Sequence, residues 1–81
     1  ADMTPESARA YVAMAASGDM YEIESSRLML QRSQNGAVRD FARMMVDHHM
    51  GTTAQLKAAA RAARVPVPTR MLPMHAAMMA E

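Results

Sequence analysis

Between Pro5 and Pro66 the chain contains no proline, and within that stretch one polar segment, Ser33-Gln34-Asn35-Gly36, has the composition of a turn. Thr4-Pro5-Glu6 reads as a helix start: Thr4 caps, Pro5 suits the first helical position, and Glu6 faces the positive end of the dipole. Gly18 is the weak point of the first long segment. Asn35 is a candidate N-cap for a second segment, which Val65-Pro66-Val67-Pro68 terminates because proline cannot continue the backbone ladder. The expected elements are helix 1 over 5–33, helix 2 over 36–64, a Pro-containing linker over 65–69 and a third helix over 70–81, with Pro73 in its first turn. The two long helices have about 29 residues each, roughly 43 Å at the usual rise. Equal helices joined by a short turn form an antiparallel hairpin.

With 81 residues the chain makes at most one small helical domain or half-domain, and so short a chain has difficulty burying enough apolar surface alone. It has no cysteine, so neither disulfides nor thiolate metal ligands reinforce it. A net charge of +1 does not mark a nucleic-acid binder, and no apolar run approaches the ~20 residues of a membrane span. The chain begins Ala1-Asp2 without an initiator methionine and stops at Glu81 within apparent helix. Those ends lead to the expectation of a processed chain that is part of something longer or one copy of a symmetric assembly. Methionine is abundant, 11 residues against one Phe, two Tyr and no Trp.

At about 100° per residue, Val38, Phe41, Ala42, Met45, His49, Thr52, Leu56, Ala59 and Ala63 share one stripe of helix 2. Arg39, Arg43, Lys57, Arg61 and Arg64 lie opposite, and acidic neighbours make that side a solvated face. The stripe of helix 1 is Ala8, Tyr11, Val12, Ala15, Asp19, Glu22, Ser26, Met29 and Leu30. Folding the hairpin about residues 34–35 sets Glu22 level with His49 or His48, and Asp19 level with Thr52. A carboxylate and an imidazole in mid-stripe have two readings: half of a bundle-core metal site, or a buried Glu–His pair that fixes helix register.

The other candidates are less constrained. His48 is a boundary residue or a ligand at a partner surface, since adjacent helical residues do not easily chelate one ion. Met45 is core filler beside the Glu22–His49 level or a soft ligand there. Met71, Met74, His75 and Met78 form a stripe that either docks on the hairpin or offers thioether and imidazole ligands to copper. No oriented Ser–His–acid group and no Gly-rich phosphate loop is evident, so the residues support no catalytic assignment.

Tyr11-Val12, Ala15-Ala16, Met20-Tyr21-Glu22-Ile23-Glu24, Leu28, Val38, Phe41-Ala42, Met45-Val46-Asp47, His49, Leu56-Lys57 and Val65-Pro66-Val67-Pro68 resemble a ferritin-like family of exported bacterial proteins. That family is catalogued as a domain of unknown function and often labelled as outer membrane protein. The resemblance carries over Glu22, His49 and His75 as family-type positions. His48 stands where the family usually has Asp, and Arg64 where it tends to have Gly. A weaker similarity, confined to His48-His49 and the methionines, links the chain to another exported helical family associated with copper.

The resemblance implies a helical bundle, a periplasmic or exported location, an envelope partner and no established reaction. The expected fold is all-α: a long antiparallel hairpin plus a short third helix, with a ferritin-like four-helix bundle completed by dimerisation or by further sequence. The expected function is a non-enzymatic bundle binding copper, zinc or iron through Glu22, His49, His48, Met45 and His75, with self-association through the hairpin. The competing classes are a purely structural or envelope-interaction bundle and a di-iron-type oxidase. The oxidase lacks its Glu-x-x-His motif, since Met45 and Val46 occupy the required positions.

Overall fold

A computed structural model describes residues 5–80. Among these the chain forms three helices and no strand: α1 (Pro5–Arg32), α2 (Gly36–Ala63) and α3 (Pro73–Ala80). The expected cap at Thr4 and the end of the third helix at Glu81 lie outside the described residues. α1 and α2 have 28 residues each and pack as an antiparallel hairpin, while α3 packs on α1.

The turn is built by the residues that announced it. Asn35 adopts an extended backbone, and its side chain accepts a hydrogen bond from the Val38 amide at 3.1 Å, as an N-cap does. The α1 end is closed from the other helix. Arg39 turns its guanidinium back onto the carbonyls of Leu30 and Ser33, a cation on the negative end of the α1 dipole. Arg39 therefore leaves the solvated basic face on which its helical position would put it. The two helices consequently end symmetrically about Gln34.

At its other end α2 stops one residue before Arg64, which takes a left-handed backbone at φ 59°. The Arg64 amide donates to the Arg61 carbonyl at 3.1 Å and the Val65 amide to the Ala60 carbonyl at 2.8 Å. This is a Schellman closure, which normally uses glycine at the left-handed position because a Cβ is strained there.

α3 begins at Pro73 rather than at residue 70. The residue before a proline is driven out of the α region, so Leu72 stays outside the helix and Pro73 occupies the first helical position. The Leu72 carbonyl then accepts from both the His75 and Ala76 amides at 3.0 Å.

The hairpin encloses little. Val12, Ala16, Ala42 and Ala60 are its buried apolar residues, joined by the polar Ser17, Asp19 and Ser26. Tyr11 and Phe41, assigned to the inner stripes by helical periodicity, are 62% and 53% exposed; Met29 and Val38 are exposed as well. Two cylinders touch along a line, so an apolar stripe wider than that line remains uncovered. The linker and α3 cover one side: Val67, Pro68 and Thr69 lie with Ala16, Met20, Thr53 and Lys57 around a small pocket. The side carrying Tyr11, Ala15, Gly18, Leu56 and Ala59 stays open as a long groove.

The strained cap gives a direct test. Arg64→Gly is expected to raise stability by about 1 kcal/mol, because glycine carries no left-handed penalty. In thermal melts of a chain this size that corresponds to a Tm increase of about 4–8 °C.

Candidate functional site

The polar centre of the hairpin is Asp19, 9% exposed and set on the same inner face of α1 as Val12, Ala16 and Ser26. α2 presents three donors to it. The His49 Nδ1 donates to Oδ1 at 2.8 Å, the Thr52 hydroxyl reaches Oδ1 at 2.8 Å, and the Thr53 hydroxyl reaches Oδ2 at 3.0 Å. Both threonine hydroxyls also approach the His49 carbonyl, at 3.1 and 2.7 Å, and each shares its single proton between the two acceptors. No buried side-chain nitrogen or oxygen among the described residues lacks a partner.

This arrangement corrects the expected pairing. His49 takes Asp19, not Glu22, as its carboxylate. With α1 ending at Arg32 and α2 beginning at Gly36, the centre of the hairpin is Gln34, and reflection of Asp19 through that centre lands on His49. Glu22 would stand level with His49 only about a centre at 35.5, one and a half residues further along the chain. The expected level of Asp19 with Thr52 is present as a hydrogen bond.

Burial pushes the Asp19 carboxyl toward a higher pKa, but the hydrogen bonds from His49, Thr52 and Thr53 and the nearby imidazole charge outweigh it. The carboxyl is held below its ordinary value of 3.8.

The sequence candidates divide by place. His49 and Glu22 both line the open groove, about 580 Å³ in volume, together with Tyr11, Thr52 and Gln55. His49 uses Nδ1 for Asp19, and its Nε2 has no hydrogen-bond partner among the described residues. Among the described residues the Glu22 side chain has no hydrogen-bond partner; its backbone carbonyl accepts from Ser25 at 3.3 Å. His48 is exposed and stands edge-on to His49, ring centres 5.0 Å apart. Met45 is half-buried one turn before His49.

His75 is elsewhere, on α3. Its Nδ1 lies 2.5 Å from the Ser17 hydroxyl and its ring stacks on Tyr21 with centres 6.1 Å apart. The same hydroxyl accepts the Leu72 amide at 2.7 Å, so fully buried Ser17 ties the start of α3 to α1. Sequence reasoning assigned no role to Ser17; its one signal was a small polar residue within a long helix.

An imidazole whose Nδ1 is held by a carboxylate is the arrangement in which histidine presents Nε2 to a metal, because the carboxylate fixes tautomer and ring orientation. Among the described residues, no three His, Asp or Glu side chains converge to hold a metal ion within one chain. No helix among them is long and apolar enough to cross a membrane.

Hairpin, terminal helix and polar centre together define an all-α protein with an incompletely enclosed core. Residues 1–81 match the sequence model of the family described as Domain of unknown function (DUF4142), and the chain belongs to that family. Neither curated proteins nor solved structures gave a match.

Replacing Asp19 with Asn exchanges a charged acceptor for a neutral amide and is expected to cost about 2 kcal/mol near neutral pH. The folded carboxyl titrates below the unfolded one, so the unfolded chain binds more protons between the two values. The stability from Asp19 is complete above about pH 4 and is lost as pH falls through the folded pKa. The Tm difference between wild type and Asp19→Asn is therefore expected to narrow with acidification below 3.8; a gap independent of pH would contradict the carboxylate's role.

Proposed function

We propose that the chain is a non-catalytic, exported helical-bundle protein whose hairpin is half of a ferritin-like four-helix bundle, and that its groove binds a transition metal ion. The second hairpin comes from another copy or from further chain. Export to the periplasm and an envelope partner rest on the family resemblance. The small core supports the half-bundle reading: four buried apolar residues, three of them alanine, leave Tyr11 and Phe41 in water.

One observation carries the metal reading. Asp19 holds Nδ1 of His49 while Nε2 has no partner among the described residues, in a ring that lines the same groove as Glu22. His49 is the imidazole ligand and Glu22 the carboxylate ligand. His48 and Met45 are the neighbouring positions that extend the set; a thioether ligand at Met45 would mark copper, whereas nitrogen and oxygen ligands alone suit zinc. His75 belongs with α3, where its nitrogen meets Ser17, and would form a separate site if it ligates at all.

A purely structural bundle is the second reading, favoured by the completeness of the Asp19 contacts: three donors satisfy the carboxylate without any ion. The di-iron-type oxidase has the least support, since the buried acid among the described residues is Asp19 and it is already engaged.

Calorimetric titration of the metal-free protein with Cu²⁺, Zn²⁺ and Fe²⁺ separates the readings. The metal reading expects saturable heat with at least one ion, lost in Glu22→Ala and His49→Ala. A purely structural bundle gives no heat, and His49→Ala then lowers Tm without changing metal content.

A further inference from the structure

The groove assigned to the metal is incomplete within one chain, yet its ligands stand where symmetry can complete it. Asp19 and His49 lie at the midpoints of two helices of 28 residues each, and Glu22 is one turn from that level. When two identical hairpins pack face to face and run in opposite directions, only residues at mid-length lie level with their own copies. Residues near the helix ends meet the opposite end of the partner, whereas a residue one turn from the midpoint, such as Glu22, stays near its own copy.

The uncovered face is suited to such a neighbour. The linker and α3 already occupy the other side of the hairpin, through Val67, Pro68 and the Ser17–His75 contact. Ala15, Gly18 and Ala59 border the open groove and let backbones approach, while Tyr11 supplies exposed aromatic surface. The chain exposes 5985 Å², against the roughly 4,800 Å² of a compact monomer of its mass. A standard interface removes about 800 Å² from each partner.

We infer that the site is shared. A second copy of this chain packs on the open groove, and one divalent ion of the zinc class is held between two His49 imidazoles and two Glu22 carboxylates. This inference rests on the metal reading proposed above and adds its partner, its stoichiometry and its regulation. Two nitrogen and two oxygen ligands match the four-coordinate preference of zinc, and Asp19 on each side fixes the imidazole that faces the ion. Because the complete ligand set exists only in the pair, the ion stabilises the pair and not the single chain. Zinc binding and dimerisation are then one linked equilibrium: added zinc lowers the dimer dissociation constant, and dilution releases zinc.

Sedimentation equilibrium of the whole chain, metal-free and with Zn²⁺ alone, tests this together with metal analysis of the separated species. The expected result is a dissociation constant at least tenfold lower with zinc and half a zinc per chain. Glu22→Gln and His49→Gln should each abolish the zinc effect, with far-UV circular dichroism verifying that both variants keep the helical content of the metal-free wild type. Should His49→Gln fail to fold, Glu22→Gln carries the test, since among the described residues the Glu22 side chain has no hydrogen-bond partner. One zinc per monomer would overturn the shared site while leaving the metal reading intact. No zinc bound at any protein concentration would overturn the shared zinc site, and no heat with copper, zinc or iron would overturn the metal reading as well. A dimer whose dissociation constant ignores zinc, or whose zinc response survives both substitutions, would also overturn the shared site.

Discussion

The buried carboxylate of Asp19 sits between two helices that have little apolar bulk with which to shield it, and the three donors of α2 make its burial tolerable. An unpaired carboxylate there would face a desolvation cost of several kcal/mol. His49, Thr52 and Thr53 relieve that cost only in one alignment of the helices, because a shift of one residue turns all three away. The cluster thus selects a register that Val12, Ala16, Ala42 and Ala60 cannot select by themselves, since small side chains slide past one another at little cost. The same hydrogen bond that aligns the helices also orients the His49 ring, so register and candidate site share one interaction.

The uncovered groove follows from the same economy of structure. A chain 46 Å long and 24 Å broad, built mostly of one hairpin, has a large surface for its volume. Its linker and α3 mask one side, and nothing within the described residues masks the other. Tyr11, left exposed there, is the kind of aromatic side chain typical of surfaces that become interiors on assembly.

Much of the backbone was legible in the sequence, because proline and the Asn35 cap act locally. The turn, the termination of α2 and the hairpin follow from residues whose preferences tertiary packing did not override. The start of α3 lies three residues later than helical composition suggests, because Pro73 excludes Leu72 from the helix. The mid-helix acid–histidine level was also legible, but its members were not: a hairpin centre displaced by one and a half residues exchanges Asp19 for Glu22. Periodicity identified the apolar stripes of Tyr11, Phe41 and Met29 without revealing that one hairpin covers only part of them. The Ser17–His75 contact had no local signal, since it depends on how the linker routes α3 across α1.

That contact has a kinetic consequence. Residues of the hairpin meet at separations that shrink steadily toward Gln34, so the helices can close progressively from the turn, each step closing only a small additional loop. Ser17 and His75, by contrast, are 58 positions apart, and α3 contributes no buried residue of its own. The terminal helix can therefore settle only after the long helices have aligned and brought the Ser17 hydroxyl into place. In the folded protein it is also the element that detaches at the lowest free energy, opening and reclosing many times while the hairpin stays paired.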